Sequence, residues 1–60
     1  MRGAYIRYKP TRKGYDVITA EGKRGWIEKR RGAFRFIMTR NASDSELQAI
    51  CHFVGELNKA

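Results

Sequence analysis

A chain of 60 residues is one small domain, and folding at this size removes only about 60% of the unfolded chain's surface from water. That argues against a second domain, a deep substrate cleft or a cofactor-sized cavity. Thirteen Lys and Arg against six Asp and Glu give a net charge of +7, while 42% hydrophobic and 12% aromatic residues are too many for a basic disordered tail.

The charge is unevenly distributed. Twelve of the thirteen basic residues and three of the six acids lie in residues 1–40, which leaves +9 there and −2 in residues 41–60. Cys51 is the only cysteine, so an intrachain disulfide and a cysteine-based zinc site are both excluded. A small domain without disulfides suits a reducing compartment. No apolar run approaches the roughly 20 residues of a membrane span. Met1-Arg2-Gly3-Ala4-Tyr5-Ile6 lacks the apolar stretch of a signal peptide. The expectation is a cytoplasmic protein without membrane contact.

Four segments, residues 4–9, 15–20, 24–30 and 33–39, are rich in Tyr, Ile, Val, Trp, Phe and Thr and read as strands. Pro10-Thr11-Arg12-Lys13-Gly14, Glu21-Gly22-Lys23 and Arg30-Arg31-Gly32 supply turn chemistry between them. Connections this short join antiparallel neighbours. Residues 43–59 read as a helix. Ser43 and Glu46 have capping-box spacing, and Lys59 in the last turn suits the helix dipole. Leu47, Ile50, Val54 and Leu57 form its apolar stripe, which Ala49, Cys51 and Phe53 widen. Gln48, His52, Glu56 and Lys59 fall opposite. Gly55 weakens the helix by roughly 1 kcal/mol relative to Ala, and a close contact with the sheet or a second subunit would account for it. The predicted fold is α+β: residues 1–60 as a single domain, with a small antiparallel meander of three to four strands (about 4–39) packed on one C-terminal helix (about 43–59).

Cross-strand pairing sorts the sheet faces. A two-residue turn at Arg31-Gly32 sets Glu28 opposite Arg35, Ile27 opposite Phe36 and Trp26 opposite Ile37. A turn at Gly22-Lys23 sets Glu21 opposite Arg24, Asp16 opposite Lys29 and Ile18 opposite Ile27. Together they place Ile18, Ala20, Ile27, Phe34, Phe36 and Met38 on a core face, joined by Ile6 and Tyr8. The opposite face then holds Tyr5, Arg7, Lys9, Val17, Thr19, Trp26, Glu28, Arg30, Arg35, Ile37 and Thr39.

That second face mixes aromatic and aliphatic groups with cations, and basic turns surround it. Lys and Arg neutralise phosphates and release counterions, aromatic and guanidinium planes stack on bases, and a β-ribbon fits the major groove. The expectation is therefore a nucleic-acid-binding module, with duplex DNA ahead of single strands. Its site residues would be Arg7, Lys9, Lys13, Lys23, Arg24, Trp26, Arg30, Arg31 and Arg35, with Tyr5 stacking or packing beside them. The alternative is a protein-interaction module. That could be a homodimer with Val17, Trp26 and Ile37 in its interface, or a small modulator of phage or mobile-element type that docks on an acidic protein.

Enzyme chemistry has little to stand on. Cys51 and His52 are successive helix positions, about 100° apart, so they do not face each other as a nucleophile and base must. Cys51 is expected in the core and His52 in water. No paired carboxylates and no phosphate-loop glycine spacing are present, so neither catalytic residues, metal ligands nor a cofactor are expected. In element order the chain resembles the small sheet-plus-helix DNA-binding domains of the AP2 type and of some phage and transposon integrases. Gly25-Trp26-Ile27 on the third strand carries the nearest echo. Glu28 stands where those families place Gly, and residues 47–57 are not Ala-rich as their helix is. The resemblance implies a sheet face laid on DNA with the helix behind it, and it fixes no residue roles.

Overall fold

The computed structural model describes residues 5–59; the predicted start of the first strand at Ala4 lies outside them. Four strands, β1 (Ile6–Pro10), β2 (Gly14–Thr19), β3 (Gly22–Arg30) and β4 (Ala33–Met38), form one antiparallel sheet in sequence order, followed by α1 (Asp44–Lys59). The fold is the α+β meander with a C-terminal helix that the sequence predicts.

The β3–β4 hairpin follows the predicted register. Glu28 pairs with Arg35, Ile27 with Phe36 and Trp26 with Ile37. Arg31 and Gly32 form the two-residue turn, with φ of 55° and 84°. Positive φ at both central positions matches the right-handed twist of the strands. Gly32 adopts it at no steric cost, whereas Arg31 does so against its Cβ.

The β2–β3 hairpin differs from expectation. Its turn is Ala20-Glu21, because Thr19 already faces Gly22. The Thr19 hydroxyl accepts from the Glu21 amide (3.2 Å) and donates to the Gly22 carbonyl (3.0 Å), which closes the turn two residues early. Together with a one-residue register shift between Val17 and Ile18, the early turn makes the net displacement odd, so Tyr15 opposes Ile27 and Asp16 opposes Trp26. A shift by an odd number of residues exchanges the faces of a strand. Val17 and Thr19 are buried on the helix side, and Ile18 lies on the outer face. Ala20 is an exposed turn residue, not part of the core.

A β-bulge follows. Val17 opposes Gly25 and Ile18 opposes Lys23, so Arg24 is the extra residue on β3. Its carbonyl accepts from the amides of Thr39 (2.8 Å) and Arg40 (3.2 Å), which ties the end of β4 to the bulge. Gly25 is required beside it, because a Cβ there would collide with the Ile37 carbonyl.

The helix begins as predicted. The Ser43 amide donates to Glu46 Oε1 (2.9 Å) and the Glu46 amide to Ser43 Oγ (3.2 Å), a reciprocal capping box. Ile50 enters the core with Val17 and Ile27, and Ile6, Tyr8, Tyr15, Phe34, Phe36, Phe53, Val54 and Leu57 pack around these three. Phe53 stacks on Tyr8 (centroids 3.7 Å apart, planes 8° apart) and meets Tyr15 edge-on at 5.4 Å. Near the helix end, Asn58 accepts from the Phe34 amide (2.7 Å) and donates to the Phe34 carbonyl (3.0 Å), so it caps the edge strand β4 as a further strand would. Cys51 and Ala49 are exposed, contrary to expectation, because the helix presents only the stripe centred on Ile50 to the sheet. Among the described residues no neighbour approaches the Cβ position of Gly55, so no close contact among them explains that glycine. Among the described residues no helix is long and apolar enough to cross a membrane.

Candidate nucleic-acid interface

The helix covers one sheet face and leaves the other open. Across that outer face runs the row Lys9–Asp16–Trp26–Ile37, one residue from each strand. Arg7, Ile18 and Lys23 form a second row, and Glu28 and Arg35 a third. Tyr5 continues the alternation of β1 and is 59% exposed.

Trp26 is half-buried at the centre of the face. Its indole N–H donates to Glu28 Oε1 at 3.0 Å. The other oxygen of Glu28 lies 3.5 Å from Arg30 Nε. The predicted Glu28–Arg35 pair is therefore in register but not an ion pair, and Arg35 has no carboxylate partner among the described residues. Lys23 Nζ lies 3.2 Å from Asp16 and 6.0 Å from the Trp26 ring centroid.

Two turns remote in sequence meet at one end of the sheet. The Lys29 amide donates to the Lys13 carbonyl at 3.3 Å, which brings the Thr11–Lys13 loop against the end of β3. The Arg31-Gly32 turn lies just beyond. Arg12, Lys13, Lys29, Arg30 and Arg31 thus crowd one end. Lys29 leans to the helix side, 5.5 Å from the Phe34 ring centroid.

The site residues predicted from sequence separate into three groups. Arg7, Lys9, Trp26, Arg30 and Arg35 share the outer face, and Lys13 and Arg31 lie at its basic end. Lys23 is on the face but paired with Asp16. Arg24 is drawn away from it. The bulge turns its side chain toward the helix start, where it lies 2.8 Å from Glu21 and 3.9 Å from Glu46, only 11% exposed. Val17 is in the core and is unavailable to the interface considered for a homodimer.

Sequence reasoning missed the pairing of Asp16 with Trp26, and with it a cleft. Thr11, Arg12, Lys13, Asp16 and Trp26 line an open groove of about 290 Å³ on the outer face. The correct β2 register is the signal that reveals it. Among the described residues, Arg7, Lys9, Arg12, Lys13, Lys29, Arg31, Arg35 and Arg40 have no described carboxylate within ion-pair distance. No three His, Cys, Asp or Glu side chains among the described residues gather as metal ligands would. No protein-family model matches the chain, and neither a curated protein nor a solved structure matches it significantly.

Proposed function

We propose that this chain is a nucleic-acid-binding module that holds the phosphate backbone with its outer sheet face and basic end. One observation carries the reading. Six cations with no carboxylate partner among the described residues, Arg7, Lys9, Arg12, Lys13, Arg31 and Arg35, border a single face that also presents an aromatic ring. Unpaired cations at that density favour a polyanion, since each phosphate they neutralise releases a condensed counterion. Duplex DNA is the ligand proposed first, because it offers a charge about every 1.7 Å of helix axis. The paired Lys23 and Arg24 drop out of the contact set, and Arg12 enters it.

Fluorescence anisotropy with labelled duplex and single-stranded oligonucleotides at two salt concentrations tests the proposal. Binding that weakens steeply with salt is expected. Absence of binding to either probe at low salt refutes it.

A further inference from the structure

We propose that the groove beside Trp26 takes one unpaired nucleobase, so that the module prefers a duplex carrying an unpaired nucleotide over a fully paired one. This rests on the nucleic-acid reading and adds a substrate class to it. The groove has an aromatic wall, an anionic hydrogen-bond acceptor and a cationic rim within one small volume.

The wall is the Trp26 indole. Its N–H is held by Glu28 at 3.0 Å, which fixes the ring where it lines the groove. A base inside a duplex has both of its faces covered by stacking and offers proteins only its edges. An aromatic wall therefore complements a base that has left the stack. The volume of about 290 Å³ is at the small end of ligand sites and suits one ring system better than a stacked pair.

Asp16 lines the same groove. A carboxylate on a phosphate-binding face costs attraction unless its charge is offset, and Lys23 Nζ at 3.2 Å offsets it. The second carboxylate oxygen can then accept from an amino group on a base. Cytosine and adenine each present such a group on the edge that pairing otherwise occupies, and guanine presents one too. Thymine offers there only its N3–H, flanked by two carbonyl oxygens that a carboxylate repels, so the groove favours amino-bearing bases. Arg12 and Lys13 also line the groove, and neither has a described carboxylate partner, so both are available to hold the phosphates flanking the displaced base.

Trp26 is the only tryptophan of the chain, so its emission reports on this groove alone. The full chain is titrated at low salt with three probes: an intact duplex, the same duplex with one unpaired cytosine, and the same duplex with one unpaired thymine. Anisotropy and Trp26 emission are followed together. The unpaired-cytosine duplex is expected to bind roughly tenfold more tightly than the intact one, the size of a single base stack. Quenching of Trp26 should accompany it, and the thymine probe should fall between the two. The Trp26→Leu variant, checked for folding by circular dichroism, should bind the unpaired-cytosine duplex no more tightly than the intact one. Equal affinities for all three duplexes with unquenched Trp26 overturn the inference and leave the phosphate-binding reading standing. Failure of every probe to bind overturns both.

Discussion

Replacing Arg12, Lys13 and Arg31 together with glutamine removes three of the free charges at one end of the sheet and leaves the ion-paired framework in place. All three side chains are exposed and none has a described carboxylate partner. Glutamine keeps most of the stem, and at Arg31 it carries the same positive-φ cost as arginine. If the six unpaired cations of the face each neutralise one phosphate, the slope of log K against log salt is about −5.4, at about 0.9 per contact. Affinity for duplex DNA then falls about 2,000-fold between 50 and 200 mM salt. The triple variant retains three contacts, so its slope is about −2.7 and its loss over the same range about 40-fold. Anisotropy titrations of wild type and variant at four or five salt concentrations measure both slopes. Arg40→Gln serves as the control. It removes an unpaired cation of equal charge, but Arg40 lies at the far end of the sheet, where its amide bonds the Arg24 carbonyl. Its slope should match wild type. An Arg40→Gln slope reduced by about 0.9, the size of one phosphate contact, would show that net charge and not the placed cations drives binding. A triple-variant slope equal to wild type would refute the assignment of the basic end.

Three further predictions concern the scaffold. Gly25→Ala should destabilise the domain by about 3 kcal/mol or more in urea unfolding, because the new Cβ meets the Ile37 carbonyl, whereas Gly55→Ala, in open space, should stabilise it by about 1 kcal/mol. Asn58→Ala removes both bonds to the Phe34 backbone; it should cost about 1–2 kcal/mol and, by uncapping an edge strand, produce concentration-dependent association in sedimentation velocity. Burial raises the Tyr8 phenol above its ordinary value of 10.0, so the unfolded chain releases that proton first. The contribution is complete below pH 10.0 and is lost as pH rises through the folded-state value. Tyr8→Phe should flatten that alkaline decline in urea midpoints.

The parts of the fold legible in the sequence are those set by local chemistry. Arg31-Gly32 declares a tight turn, and the pairing of Glu28, Ile27 and Trp26 with Arg35, Phe36 and Ile37 follows from it. Ser43 and Glu46 declare the helix start, and the structure closes both of their hydrogen bonds. The β2 register was not legible in this way. Gly22 looks like the turn residue, yet the Thr19 hydroxyl closes the turn earlier. The bulge at Arg24 depends on Thr39 and Arg40, whose amides arrive from the far end of β4. One odd shift then moves Val17 into the core and Ile18 out of it. The candidate site shows the same division. That Trp26, Arg30 and Arg35 share a face was readable from the β3–β4 turn alone. That Arg24 serves Glu46, that Lys13 touches Lys29 and that Asp16 stands beside Trp26 are consequences of tertiary placement, and no local pattern encodes them.

A basic surface kept for solubility alone would have both signs interspersed. Here the acids are spent elsewhere. Asp16 holds Lys23, Glu21 and Glu46 hold Arg24, Glu28 holds the Trp26 indole and Arg30, and Glu56 holds Lys59. Asp44 occupies the first turn of the helix, where a negative charge is favoured. Each of the six acids thus has a structural partner or a favourable position in the fold, and six of the eight described cations left over lie along the outer face and its basic end. Glu28 shows the consequence most directly. It sits opposite Arg35 in the sheet but spends its carboxylate on fixing Trp26, so the ring is ordered and the arginine is left without it. In the proposed nucleic-acid reading, an ordered aromatic group beside a cation with no described carboxylate partner would suit a ligand that carries both a flat ring and a phosphate, and an acidic protein surface offers no such pairing.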